Sequence, residues 1–579
     1  MCGIIGEIAL AGAIDAVAFD RRRDLLSHRG PDDAGTWLSP TAAVALGNRR
    51  LALCDPSPAG RQPMASQDGA LQVTFNGEIY NFRELRRQLE ALGHRFRSAC
   101  DTEVLVHGWE AWGEGLLAKL EGMFAFGLWD ARRGRLVLAR DRFGIKPLYY
   151  YRDDRRFAFA SEARALVAHP EIAAEPDAGA LCDFLVYRFV PSPKCIWRSL
   201  AKLPPAHALT FEPAGGSLRL WCHWQPPSRS MEAAATSVEV GELLADAVAS
   251  HGTADVAVGS LLSGGMDSAA MVASAASRGI SLPTFSLGFS DWPASEHGAA
   301  AAVAAGLGLS HRQWLLGPES LALVERMATV FDEPLADIST IPTFAVCALA
   351  GGHVKGVLSG EGSDELFGGY DWHHRLAARE SPPDLVSFYG EAMAMGSFAG
   401  DELATLIHPR HREAIPADPH WFYRACAEAV ADRPLLERLR WLDLRSFMGE
   451  LVLTKVDRAS MAASLEARVP FLDQRFFDAV FRLPAEKLWR RGEQKPLLAE
   501  LLRRLLPARP PARPKQGFVG PDRYYRVGGR WLDLLRRSAL VRDRWFSAGG
   551  LATLLERGGP WRLWKLLVLE LWYRRWVAP

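Results

Sequence analysis

The chain is 579 residues long, and at roughly 100–200 residues per domain that length predicts several domains rather than one. Its charges nearly cancel, 68 Lys and Arg against 67 Asp and Glu, with 23% charged and 49% hydrophobic residues. This balance excludes a disordered or fibrous chain and argues against a polyanion-binding surface, so no nucleic-acid partner is expected.

The opening stretch MCGIIGEIALAGAID lacks the basic region of a secretory signal. No run of about 18 uncharged apolar residues occurs; the nearest, Leu563 to Trp572, is broken by Lys565 and Glu570. A cytoplasmic chain with no membrane partner is expected. Eight cysteines, at 2, 54, 100, 182, 195, 222, 347 and 426, form no C-x2-C pair and suggest neither a zinc site nor a disulfide framework.

From Met1 to about Phe211 short apolar runs alternate with turn residues, as in ALQVTFNGEIYNF and MFAFGLWDARRGRLVLARD. This texture predicts antiparallel strands paired through turns. Residues 213–235, rich in Pro, Gly and Ser, are expected to link a first domain at 1–212 to a second at 236–579. Beyond Thr236 strand-like runs alternate with helical ones: DVAVGSLL then SAAMVASAASRG, PTFSLGF then HGAAAAVAAGLG, HVKGVLSG then DELFGGY. That alternation predicts a mostly parallel α/β sheet. After Tyr370 the pattern is helical, and Trp561, Trp564, Trp572 and Trp576 fall near one face of a last helix, read as core packing.

Two constellations carry chemistry. The first begins at Cys2. Removal of Met1 would leave the thiol and a free α-amine on one residue, a nucleophile with its own base near neutral pH. Asn76-Gly77 closes the apolar run LQVTF, where a side-chain amide and a backbone N–H together suit a tetrahedral oxyanion.

MCGIIG, HRGPD (28–32), NGEIYN (76–81), CDTE (100–103) and GMFAF (122–126) together resemble the glutaminase domain of class II, N-terminal-nucleophile glutamine amidotransferases. The resemblance implies an αββα sandwich and attack of Cys2 on the amide of glutamine, with release of ammonia from a glutamyl thioester. It further implies an oxyanion hole at Asn76 and Gly77, and Arg50, Glu78 and Asp101 holding the substrate's carboxylate and amine. One Arg with acidic partners matches the charges of an amino acid.

The second constellation is Ser263-Gly264-Gly265-Met266-Asp267-Ser268, between a strand-like and a helix-like run. A strand, a Gly-rich turn and a helix N-terminus make an anion site suited to nucleotide phosphates. Neither G-x-x-x-x-G-K-[ST] nor G-x-G-x-x-G is present there. Asp267 in such a loop implies a bridging Mg²⁺. A second loop, Leu358 to Glu365, offers Asp364 as another magnesium ligand and Glu361 for a substrate or acid–base role.

SGGMDS, LSGEGSDELFGGY, LTKVDRASMAASLEARVPFLD (453–473) and GEQKPLL (492–498) resemble the ATP-pyrophosphatase domain of glutamine-dependent asparagine synthetases. That likeness implies ATP held by Leu261, Ser263, Gly264, Gly265, Asp267, Ser268, Leu287, Ser359 and Gly360. Mg²⁺ would sit on Asp267 and Asp364, and Lys495 at the α-phosphate and reacting carboxyl. A fixed cation there would stabilise charge growing on the phosphates. The implied overall activity is amidation of aspartate to asparagine through β-aspartyl-AMP, with ammonia passing inside the chain because release to water would protonate it. The segment Asp337-Ile338-Ser339-Thr340-Ile341-Pro342 lacks the Arg of the family's acceptor-holding segment, so another carboxylate, such as a sugar uronic acid or a natural-product acid, is the alternative acceptor. A ring-closing synthetase is disfavoured by Cys2 with NGEIYN. The oligomeric state is left open, a homodimer included.

Overall fold

The computed structural model describes residues 2–227, 236–379, 383–489, 493–506 and 517–578. Met1, residues 228–235 of the expected linker and Gly492 of the GEQKPLL motif lie outside them.

Twelve strands build the first half: β1 Cys2–Ala9, β2 Asp33–Leu38, β3 Val44–Arg50, β4 Met64–Ala65, β5 Leu71–Ile79, β6 Gly122–Asp130, β7 Arg135–Arg140, β8 Tyr149–Arg152, β9 Arg156–Ala160, β10 Leu200–Lys202, β11 His207–Glu212 and β12 Ser217–Cys222. They form two six-stranded sheets, ordered β10-β8-β9-β1-β3-β2 and β12-β11-β7-β6-β5-β4. Side chains alternate across each strand, so Ile4 and Ile8 of β1 face the second sheet with Leu46, Leu138, Phe159 and Leu209. Ile5 points the other way, onto Phe19 of helix Ala16–Asp24. Helices Phe82–Ala91 and Glu103–Trp112 cover the outer face of the second sheet through Leu85, Leu89, Val104 and Leu105. The result is the expected αββα sandwich. One boundary is corrected: 213–222, expected to be linker, makes a turn and then β12, which pairs with β11. Its Pro213-Ala214-Gly215-Gly216 signal marks that turn.

The second half contains a five-stranded sheet of β13 Val258–Leu261, β14 Thr284–Phe289, β15 His311–Leu316, β16 Gly356–Leu358 and β17 Glu466–Arg468. Every pair in it is parallel, in the order β15-β14-β13-β16-β17. From β13 the chain winds one way to β14 and β15, then returns to β16 on the other side. The crevice at the carboxyl ends of β13 and β16 is therefore the topological switch point, where open α/β sheets bind ligands. Helices dominate beyond Tyr370, ending in Pro560–Trp576, whose Trp564 and Trp572 are buried in the core as expected. No described helix is long and apolar enough to cross a membrane.

Candidate active sites

The antiparallel register of β1 on β3 sets Cys2 opposite Arg50. Across the sandwich β5 presents Asn76, Gly77 and Glu78. The Cys2 N–H donates to Asn76 Oδ1 at 2.9 Å, joining the two sheets at the candidate nucleophile. Burial pushes the Cys2 thiol up, against the pull of the Leu51 amide on its sulfur and of Arg50. Asn76 Nδ2 is buried and has no hydrogen-bond partner among the described residues. An orphaned buried donor costs about 1–3 kcal/mol, which marks it as a group set for an acceptor that arrives later. Gly77 is required where it stands, because a Cβ there would lie 2.0 Å from the Met123 carbonyl oxygen.

The acidic partners are buried as well. Asp101 Oδ2 accepts from the Ile79 amide at 2.9 Å, and burial holds its carboxyl well above the usual range. Glu78 is pushed up to about 8 by burial, although Arg468 lies 3.0 Å away. Arg468 is also 2.5 Å from Glu466, which is the larger influence raising its own pKa. We therefore take Glu466 as its principal counter-ion and Glu78 as the carboxylate left to titrate. Arg50 Nη2 donates to the carbonyls of Cys54 at 2.9 Å and Asp55 at 2.6 Å, curling the 54–57 loop around the guanidinium.

At the switch point the two glycine turns meet. Gly264 has φ +79°, and Gly360 lies so close to the first loop that a Cβ on it would be 3.5 Å from both Asp267 Cβ and the Ser268 amide. Ser263 Oγ accepts from the Gly265 amide at 3.2 Å and pairs with Ser268 Oγ at 3.1 Å, shaping the first turn. Leu261 and Leu287 flank it on neighbouring strands, Leu287 buried and Leu261 partly so. Lys495 closes the crevice, with Nζ 2.5 Å from Asp267 Oδ1, 2.6 Å from Asp364 Oδ1 and 3.2 Å from Ser363 Oγ. Gly369 leaves room for this cluster, since a Cβ there would stand 2.1 Å from Asp364 Oδ1 and 2.2 Å from Lys495 Cε. Glu361 accepts a hydrogen bond from Ser359 Oγ at the mouth of the second loop. Two carboxylates converging from adjacent phosphate-type loops form a hard-oxygen donor set that fits Mg²⁺.

The candidate residues of each constellation thus lie together, in one cluster for the first and another for the second. The residues that join the clusters were not singled out. Arg29, fully buried, donates to the Cys2 carbonyl at 3.1 Å, to Glu162 at 2.9 Å and through two nitrogens to Asp457 at 2.9 and 3.0 Å. Arg458 lies 2.8 Å from Glu162 and 2.9 Å from Asp332. Arg468 reaches Glu78 from β17, while its carbonyl accepts from the Ser359 amide at 2.8 Å. Arg29, Asp457, Arg458 and Arg468 belong to HRGPD or LTKVDRASMAASLEARVPFLD, motifs that carried the resemblance without a role for each residue, whereas Glu162 and Asp332 lie outside every motif.

A cysteine nucleophile fold joined through buried ion pairs to a nucleotide-type crevice defines the class, an ATP-dependent ligase that takes nitrogen from glutamine. A glutamine amidotransferase domain model matches residues 1–222 and an asparagine synthase model residues 239–574. Asparagine synthetase [glutamine-hydrolyzing] 1 of Bacillus subtilis is 32% identical over 99% of this chain and 96% of its own. A putative asparagine synthetase of Mycobacterium bovis is 34% identical over 92% of this chain and 89% of its own. Another B. subtilis relative, number 3, is 32% identical over 88% of this chain and 85% of its own. The chain belongs to the glutamine-hydrolysing asparagine synthetase family.

Proposed function

We propose that the chain amidates aspartate to asparagine, with glutamine as nitrogen source and ATP cleaved to AMP and pyrophosphate. After loss of Met1, the Cys2 amine takes the thiol proton and the sulfur attacks the glutamine amide. Asn76 Nδ2 and the Gly77 N–H receive the developing oxyanion, each such donor contributing about 2.7–4 kcal/mol. Arg50 holds the glutamine carboxylate, and Glu78 and Asp101 its ammonium, whose charge draws both carboxyls back to the ionised form.

In the crevice the first loop and Ser359-Gly360 receive the nucleotide, with Leu261 and Leu287 beside the adenine. Asp267 and Asp364 would hold Mg²⁺, which supplies neutralisation of phosphate charge when bound. Lys495 stabilises charge at the α-phosphate as pyrophosphate leaves, and Glu361 manages the proton of the attacking ammonia. The ammonia travels through the interface next to GMFAF. Met123 supports that route, because its side chain belongs to the same continuous core as Val456 and Leu465 of the second half.

The observation that carries this reading is the Lys495–Asp267–Asp364 cluster standing at the switch point while Cys2 is tied by Arg29 to Asp457 of the second half. A second acceptor class is favoured by one feature. Lys455 Nζ already engages Ser339 Oγ at 2.6 Å and Asp337 at 3.3 Å, so the 337–342 segment offers the acceptor an arrangement without an Arg. The test is glutamine-dependent pyrophosphate release across a panel of carboxylic acids. Aspartate as the preferred acceptor is expected; turnover with a uronic acid and none with aspartate would replace it.

A further inference from the structure

Outside both clusters, His94, His107 and Glu110 bring their ligand atoms within 4.8 Å of one another. His107 and Glu110 stand three apart on helix Glu103–Trp112, and therefore on one face of it. His94 sits in the turn after helix Phe82–Ala91, where its amide donates to the Leu89 carbonyl at 3.1 Å. Glu110 Oε2 lies 3.3 Å from His107 Nδ1 and 3.6 Å from His94 Nδ1. Bond lengths of about 2.0–2.2 Å to zinc put tetrahedral ligand atoms roughly 3.3–3.5 Å apart, so these two edges already have tetrahedral length.

The surroundings are those of a metal site too. Histidine ligands characteristically pass their second ring nitrogen to a carboxylate, and His107 Nε2 is 3.4 Å from Glu103 Oε1. Glu103 is itself fixed by the Arg97 and Ser98 amides and by Ser98 Oγ, at 2.8, 2.8 and 2.6 Å. The other Glu110 oxygen accepts from Arg132 Nη2 at 3.1 Å, and Arg132 is neutralised by Asp68. Phe96 stands edge-on to the His107 ring at 4.7 Å, an apolar wall. The side chains of His94 and Glu110 are each 20% exposed, so a fourth ligand can come from water.

We propose that His94 Nδ1, His107 Nδ1 and Glu110 Oε2 bind a zinc-class divalent cation, with water completing the tetrahedron and Glu103 and Arg132 orienting the ligands. Binding displaces the proton from His107 Nδ1 to solvent. The ion would clasp the turn at His94 to the helix that starts two residues after Asp101. It would thereby brace one wall of the glutamine pocket from outside, leaving the reacting atoms untouched.

The full chain carrying Cys222→Ala, which removes the exposed cysteine as a competing thiol ligand, is stripped with a chelator and titrated with Co²⁺. One equivalent should give the intense visible absorption of a tetrahedral nitrogen and oxygen site, together with a raised melting temperature. His94→Ala in that background should abolish both. Glu103→Gln, which keeps all three ligands, should weaken binding about 10–100-fold. If His94→Ala compromises folding, Glu110→Gln serves in its place, with circular dichroism as the check. No tetrahedral band, a band unchanged by either ligand substitution, or a sulfur-to-cobalt charge-transfer band would each overturn the assignment.

Discussion

In the front pocket polar groups are buried and kept short of partners, whereas in the rear crevice charges are gathered and matched. Asn76 Nδ2 has no described partner, and Asp101 and Glu78 are both pushed upward by burial. By contrast Lys495 stands between Asp267 and Asp364 at salt-bridge distance. The first arrangement suits a zwitterion that brings its own charges into a dry pocket, since unpaired groups gain most from an incoming partner. The second suits a polyanion that arrives with its own metal and needs a charge-balanced seat.

The comparison can be broken at four places. Cys2→Ala should lower glutamine-dependent synthesis about 10⁴-fold or more, as loss of a covalent nucleophile does, while synthesis from ammonium salts persists; loss of both rates would end the division of labour. Arg468→Leu leaves Glu466 and Glu78 buried without their cation, so about 3–5 kcal/mol of stability should go, read from the denaturant midpoint. An unchanged midpoint would mean that the pair is not buried in solution. Gly369→Ala drives a methyl into Asp364 and Lys495, and a displacement of about 1 Å there should cost roughly 100-fold in pyrophosphate release with either nitrogen source. Ammonia release from glutamine should stay at the wild-type rate, and an equal fall in both would refute the independence of the crevice.

The smallest effect is a pH slope. Folding raises the Glu78 pKa from 4.5 to about 8, so the folded chain holds that proton more tightly than the unfolded one. The stability it contributes is complete below the unfolded value and is lost as pH rises through the folded one. Glu78→Gln should flatten the fall in unfolding free energy across that window, and a slope identical to wild type would assign the titration elsewhere.

What was legible in the sequence is what is encoded locally. SGGMDS lies between a strand-like and a helical run, and NGE closes an apolar strand, so neighbours in sequence declare the geometry. The antiparallel and parallel halves were equally plain from periodicity. β12 reads as linker in the sequence because the four-residue turn before it carries the Pro and Gly, and its exposed edge alternates too weakly to outweigh them. Arg29 and Arg468 stayed silent for another reason. Arg29 meets Asp457 across 428 positions, and no local spacing rule reaches that far. Lys495, by contrast, was found through the likeness, since a single Lys beside a helix start has no distinguishing pattern of its own.

β17 is three residues long, yet its main chain holds the Ser359 amide of the rear crevice while its last side chain reaches Glu78 in the front pocket. The break in sequence between the two matched regions, after residue 222, therefore does not coincide with the packing boundary between the two clusters. A severed front half would lack the guanidinium that faces Glu78, and a severed rear half would carry Arg468 beside a cavity it no longer borders.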